Sequence, residues 1–172
     1  MDLFDAIYAR KSVRSFTPKI IENESLIQLV RAAMAAPSAC DIRPWEFILV
    51  TKRQTLDKLA NIMPYGKMLH NAPAAIIVCA DLLKAKEAPQ QEYWIQDCSA
   101  ATQNILLASV AFGFGAVWLG VTPTADRITQ VASCLKLPKN VQPLNIIAVG
   151  YPATDEPSKD KFNPNQIHLE TW

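Results

Sequence analysis

Three runs, "PAAIIVCAD" (Pro73–Asp81), "GAVWLGV" (Gly115–Val121) and "PLNIIAVG" (Pro143–Gly150), are apolar almost from end to end, with no alternation of polar and apolar positions. Successive side chains of a strand point to opposite faces, so a strand with one wet face alternates, and strands this uniformly apolar need cover on both sides. A fourth run, "PWEFILV" (Pro44–Val50), also reads as a strand. The chain is therefore expected to fold as a layered α/β/α domain of the α+β class. With 172 residues, half of them hydrophobic, it has enough apolar material for one sizeable core, and one domain over residues 1–172 is expected.

Helical periodicity supplies the covering layers. Asp2 can cap a short helix carrying Leu3, Phe4, Ile7 and Tyr8. Asn23 or Ser25 can cap a second, in which Ser25 and Gln28 have capping-box spacing. Its apolar face is Leu26, Leu29, Val30, Ala33 and Met34, and it ends at Pro37. Thr51 can open a third with Leu56, Leu59 and Ile62 on one face, and Thr124 another with Ile128, Val131, Ala132 and Leu135, closed by Pro138. The longest, about Gln90 to Phe112, is apolar nearly all round and dense in small residues, so it must be buried on most sides. Pairing with its copy in a second subunit would bury it, which predicts a homodimer; a central helix within one subunit would do the same. The tail, "ATDEPSKDKFNPNQIHLETW", is too poor in periodic apolar residues for a core of its own and is expected to wrap over a surface, such as that of a partner subunit.

Seventeen basic and 16 acidic residues leave a net charge of +1, too little for a field that would hold a nucleic-acid backbone or an anionic membrane. The longest mostly apolar run, Ile105 to Val121, contains three glycines and a serine and falls short of a membrane span. The opening "MDLFDAIYARK" places acids before bases, the reverse of a secretory signal, so a cytoplasmic location is expected. Cys40, Cys79, Cys98 and Cys134 never fall within metal-ligand spacing of one another or of His70 and His168, and are expected to be reduced core or near-core thiols.

Four clusters could carry chemistry. "ARKSVR" sets Arg10, Lys11, Ser12 and Arg14 close together; guanidinium forks and a hydroxyl suit a phosphate, although the helix dipole alone favours bases there by under about 1 kcal/mol each. In "PSACDIR", Ser38 could donate a hydrogen bond, and Asp41 and Arg43, two apart in an extended segment, would point the same way, towards a ligand or into a local ion pair. In "GAVWLGVTP", Gly120 after Trp118 would let a backbone amide approach a flat ligand, or simply make a turn. "SKDKF" offers Lys159 and Lys161 around Asp160, by default a solvated tail. The chain carries no Gly-x-Ser-x-Gly, Walker or Gly-x-Gly-x-x-Gly motif, and looks poorly equipped for hydrolysis.

In order, "ARKSVRSF", "APSACDIRPWEFILV", "DCSAATQNILLAS", "GAVWLG", "VGYP" and "KDKF" resemble the FMN-dependent nitroreductase family along essentially the whole chain. The resemblance implies a mixed sheet flanked by helices, an obligate homodimer whose C-terminal extension crosses onto the partner, and one FMN at each of two interface sites. It implies that Arg10, Lys11, Ser12 and Arg14 hold the FMN phosphate and part of the ring, with Lys159 and Lys161 as a C-terminal phosphate clamp. Pro37, Ser38 and Ala39 would reach the flavin from the other subunit, and Trp118, Leu119 and Gly120 would lie beside the ring. Asp41, Arg43 and Lys161 stand where the family often has Asn, Gln and Arg. Arg43 at the ring's pyrimidine edge would favour reduced flavin, whereas Asp41 would oppose it unless the two pair. The implied activity is ping-pong hydride transfer from NADH or NADPH through FMN to a nitroaromatic or quinone-like acceptor, with no catalytic side chain required. The same scaffold could instead serve reductive dehalogenation, enoate reduction or a low-turnover flavin sensor or store, or have lost its cofactor.

Overall fold

The computed structural model describes residues 1–87 and 92–172. In chain order the elements are α1 (Leu3–Ala9), α2 (Asn23–Met34), β1 (Trp45–Val50), α3 (Arg53–Ile62), β2 (Ala74–Asp81), α4 (Leu82–Ala85), α5 (Tyr93–Ala111), β3 (Gly115–Gly120), α6 (Ala125–Leu135) and β4 (Val141–Gly150). The sheet runs β1-β2-β4-β3, and all three ladders are antiparallel. The mixed character implied by the resemblance reduces, among the described residues, to one parallel bridge between Ser12 and Ala116 at the β3 edge.

The uninterrupted apolar character of β2 and β4 is explained by their place at the centre. Ile76, Val78 and Ala80, with Ile147 and Val149, face a core that includes Leu26, Leu29 and Ala33 of α2 and Cys98, Ala101 and Ile105 of α5. Ala75, Ile77 and Cys79, with Ile146 and Ala148, face a second core with Leu56 and Leu59 of α3 and Val131 of α6. Each fully buried Ile or Leu is worth about 1.5–3 kcal/mol relative to exposure, so both faces of the central strands contribute.

Helix starts agree with the sequence only in part. Asp2 caps α1 in a reciprocal box with Asp5. Helix α2 is already under way at Asn23 behind Glu22, and Ser25 sits inside its first turn; neither it nor Asn23 is the cap, and Gln28 donates instead to Glu24, at 3.0 Å. Helix α3 begins behind Lys52, not Thr51. Thr124 is the N-cap residue of α6 by position, without a side-chain bond. The expected start of the long helix near Gln90 falls outside the described residues. From Tyr93 on, α5 buries one stripe, including Trp94, Cys98, Ala101, Ile105 and Ser109, while Ile95 and Phe112 stay exposed. Met34, expected on the buried face of α2, is also exposed.

Burial fixes the state of two of the four free cysteines. Burial pushes the Cys79 thiol up to about 12 and raises Cys98 as well, whereas Cys134 is half-buried and Cys40, expected near the core, is exposed. Among the described residues no helix is long and apolar enough to cross a membrane.

Candidate functional site

The segment after α1 is zipped to the sheet. Val13 N–H donates to Ala116 O at 3.0 Å, Thr17 N–H to Tyr151 O at 2.9 Å and Ala153 N–H to Ser15 O at 3.0 Å, with Phe16 bridged to Pro152. Two glycines make this closeness possible. A Cβ on Gly115 would lie 2.6 Å from Val13 Cβ, and one on Gly150 would lie 2.7 Å from Pro73 Cδ and 2.8 Å from Phe16 Cδ1. Gly115→Ala is accordingly expected to destabilise the fold by about 1–3 kcal/mol, because Val13 must move and take Ser12 and Arg14 with it. Thermal unfolding checks this, and an unchanged Tm would mean that Val13 shifts without penalty.

This anchoring brings together cationic residues from both ends of the chain. Arg10, the C-cap residue of α1, lies with Lys159 and Lys161 in a cleft of about 780 Å³ between Ile7 and Tyr8 of α1 and the Ser158–Phe162 segment. Asp160 lies in the same cleft, its Oδ1 accepting from Phe162 N–H at 2.9 Å. Lys11, Ser12 and Arg14 line a neighbouring cavity of about 320 Å³ with Thr154 and Glu156, and Lys11 reaches Asp155 at 3.8 Å. The acids at 155 and 156 were not anticipated.

At the α2–β1 junction the chain is not extended, as the sequence suggested, but folds into a 3₁₀ turn over Ala39–Asp41. Cys40, Asp41 and Arg43 all have positive φ, of 51°, 55° and 53°. A left-handed conformation costs an ordinary residue about 1–2 kcal/mol, least for Asp, whose short side chain bonds locally. Local bonds offset part of this. Ser38 Oγ accepts from Arg43 N–H at 2.9 Å, which leaves its own O–H proton to donate, and Asp41 N–H and Ile42 N–H donate to Ser38 O and Ala39 O, each at 3.1 Å. Asp41 and Arg43 do point the same way and pair bidentately, Nε–Oδ1 at 2.7 Å and Nη2–Oδ2 at 2.5 Å. The guanidinium hydrogen-bonded to Asp41 holds its carboxyl below the usual range. Both side chains are exposed, so the pair stabilises little, but it presents a nearly neutral unit in place of two opposed charges. Pro37, Ser38 and Ala39 line a cavity of about 390 Å³ with Tyr93, Gln96, Asp97 and Ala100 of α5.

The third cluster lies on edge strand β3. Leu119 is buried in the core against α3 and α6. Trp118 and Gly120 alternate onto the other face, where Trp118 is 36% exposed and a Cβ on Gly120 would meet nothing within 4 Å. The first half of this edge is taken by Ser12 and Val13, and the Gly120 carbonyl accepts from the Arg127 guanidinium at 3.3 Å. What remains is an open shelf of sheet edge with a glycine that no neighbour requires.

Two residues of the "DCSAATQN" run, to which the sequence alone assigns no role, reach the α2–β1 junction. Asp97 is 7% exposed and accepts from Ala39 N–H at 2.9 Å, and Asn104 Nδ2 donates to Ala32 O at 3.0 Å. Helix α5 thus holds the α2–β1 junction at the end of α2 and at the first residue of the turn.

The profile described as the Nitroreductase family matches residues 7–64 and 63–151. The chain is 44% identical, over all of its length and 88% of the other's, to a protein of Methanothermobacter thermautotrophicus provisionally named an NADH dehydrogenase/NAD(P)H nitroreductase. It superposes with a TM-score of 0.94 and 46% identity on the crystal structure of a protein with that same provisional name from Parabacteroides distasonis, covering 99% of this chain and 98% of that one. A provisionally named nitroreductase from Desulfovibrio desulfuricans, crystallised in complex with FMN, is similar at a TM-score of 0.83 and 28% identity, covering 100% and 98%.

Proposed function

The chain belongs to the nitroreductase family, and on that premise we propose that it is an FMN-dependent oxidoreductase, drawing on NADH or NADPH and reducing a small oxidised acceptor such as a nitroaromatic or a quinone. The observation that carries this reading is the convergence of Arg10, Lys159 and Lys161, from opposite ends of the sequence, in one cleft sized for a ligand. Three cations against one carboxylate suit a phosphate monoester. The donor set of Lys11, Ser12 and Arg14 in the next cavity extends the same chemistry, and the open glycine at 120 gives a flat ring a surface to rest on. The names of the similar proteins, one of them bound to FMN, agree with this fit.

In this reading bound FMN supplies the hydride chemistry, with the nicotinamide donor and the acceptor taking turns in one slot. The chain's own residues bind and orient. Arg10, Lys159 and Lys161 neutralise the phosphate. Ser12 and Arg14, fixed by the β3 edge, offer donors towards the ring. Trp118 and Gly120 form the shelf, and Pro37, Ser38 and Ala39 close the slot from a second subunit. The Asp41–Arg43 pair tempers the positive charge that an unpaired Arg43 would bring near the flavin.

A homodimer is part of the proposal. Phe4 and Tyr8 of α1 and Phe162, Leu169 and Trp172 of the tail are all at least 60% exposed in the single chain, apolar surface that a partner subunit would cover. The tail would then lie across the partner, in a protein acting as one domain from residue 1 to 172.

The test is an absorbance spectrum of the purified protein, release and identification of its chromophore, and anaerobic addition of NADH and NADPH. Bound FMN that bleaches with either reductant and recovers on adding an acceptor is the expected result. A colourless protein that cannot be reconstituted with FMN overturns it.

A further inference from the structure

The strained junction between α2 and β1 needs an anchor from outside itself. Cys40 and Arg43 hold left-handed conformations that their side chains do not favour, beside Asp41, which bears the same conformation at less cost, and such conformations persist only where surrounding contacts enforce them. The bonds within the turn tie Ser38, Ala39, Asp41, Ile42 and Arg43 to one another. They set the turn's internal shape, not its placement on the molecule. One side-chain contact supplies placement at the turn's first residue, the 2.9 Å bond from Ala39 N–H to the carboxylate of Asp97, 58 residues on. Asn104, two turns further along α5, holds the carbonyl of Ala32 before the turn begins.

Asp97 is an unusual residue for that place. It is an acid, 7% exposed, on a helix that is otherwise apolar or neutral where it meets the protein interior, and among the described residues no Lys, Arg or His lies within ion-pair reach of it. A buried polar oxygen costs free energy unless it is hydrogen-bonded. The backbone amide of Ala39 is what it serves. Asp97 also lines, together with Pro37, Ser38 and Ala39, the cavity on that side of the junction, so its position and that of the segment are set together.

We infer that Asp97 is the positioning residue of the flavin-contacting segment: by accepting from Ala39 N–H it locks the Pro37–Arg43 turn in its left-handed form and thereby sets the wall that Ser38 and Ala39 present to the isoalloxazine ring. The inference rests on the FMN reading proposed above and adds to it a residue that acts through the backbone amide of Ala39. The side-chain oxygen is what matters, since an amide retains an acceptor for the same N–H while a methyl group does not.

The test compares wild type with Asp97→Asn and Asp97→Ala in the full-length protein, by two readouts. Amide exchange of the peptide spanning the junction, measured without FMN, follows the anchor itself: it is expected to quicken by about tenfold or more in Asp97→Ala and to stay within about threefold in Asp97→Asn. FMN titration by fluorescence quenching follows the consequence. Affinity should fall by about tenfold in Asp97→Ala, with a shifted visible spectrum of the flavin that still binds, and recover in Asp97→Asn, while peptides of α3 and α6 exchange as in wild type. Equal FMN affinity and an identical flavin spectrum in wild type and Asp97→Ala overturn the assignment, as does a loss of affinity that Asp97→Asn shares in full. A wild-type protein that takes up no FMN overturns instead the reading on which the assignment rests, and the exchange data then still report whether Asp97 anchors the turn.

Discussion

Gly120→Val is expected to leave the melting temperature of the FMN-free protein unchanged or slightly higher and to weaken FMN binding by about tenfold or more, close to 1.4 kcal/mol. The two halves of this expectation have different causes. Within the chain nothing asks for a glycine at this position: a Cβ would meet no atom within 4 Å, and the backbone is not in the left-handed region. Glycine inside a strand also costs entropy, and valine is among the best strand formers, on a scale of about 1 kcal/mol. A residue that the fold does not require leaves its space open to something outside the fold. On the face shared with Trp118 the candidate is a flat ring lying against the strand, and a branched side chain would lift it off. Gly120→Ala should fall between the two. Titration with FMN beside thermal unfolding separates the outcomes: undiminished binding by Gly120→Val would remove the β3 shelf from the flavin site, and a large drop in Tm would mean that the glycine is structural after all.

Much of the architecture was legible because it rests on composition along strands. Central position in a sheet with helices on both faces demands apolar side chains in both directions, and β2 and β4 have them, so their uniform runs already implied the layered fold. Helix starts were less legible. Ser25 and Thr51 have the right chemistry for caps, yet α2 and α3 begin behind Glu22 and Lys52 without side-chain caps; at an exposed helix end water satisfies the free amides, so cap chemistry is only a weak constraint.

The junction shows a different limit. Nothing in "ACDIR" announces left-handed backbone at a cysteine and an arginine, because the conformation is opposed by local preference and held by tertiary contact. Its anchor was hidden for the same reason. Asp97 reads as one polar residue in a helical run, and only the fold places it against an amide 58 positions earlier. The phosphate-binding candidates were visible as basic clusters, and the family resemblance implied that they act together, but composition and spacing gave no contact between them: Arg10 and Lys161 lie at opposite ends of the sequence and line one cleft in a fold where residues 12–17 are zipped to β3 and the end of β4. Motif order along the chain pointed to the family; the contacts explain why those motifs must travel together.

Replacing Lys159 and Lys161 together by Gln should lower FMN affinity by about ten- to a hundredfold while leaving riboflavin, which lacks the phosphate, almost unaffected. Each lysine is exposed, so its ion pair with a phosphate is partly screened and worth about 1 kcal/mol, well below the value of a buried charged bond. An ammonium is a compact point charge that cannot grip two phosphate oxygens in one plane, as an arginine fork does. A clamp of this kind would therefore work through field more than through fixed geometry, and a field is sensitive to salt, whose screening length is about 8 Å at physiological ionic strength. Wild-type affinity for FMN is accordingly expected to fall as salt rises, and the double variant to show a shallower dependence, with Arg10 carrying the remainder. Comparing FMN with riboflavin at low and high salt in both proteins checks all of this in one set of titrations. A wild-type titration that is flat with salt, or an equal loss for both flavins, would show that the tail lysines do not hold the phosphate, and the charge in the α1 cleft would then need another ligand to explain it.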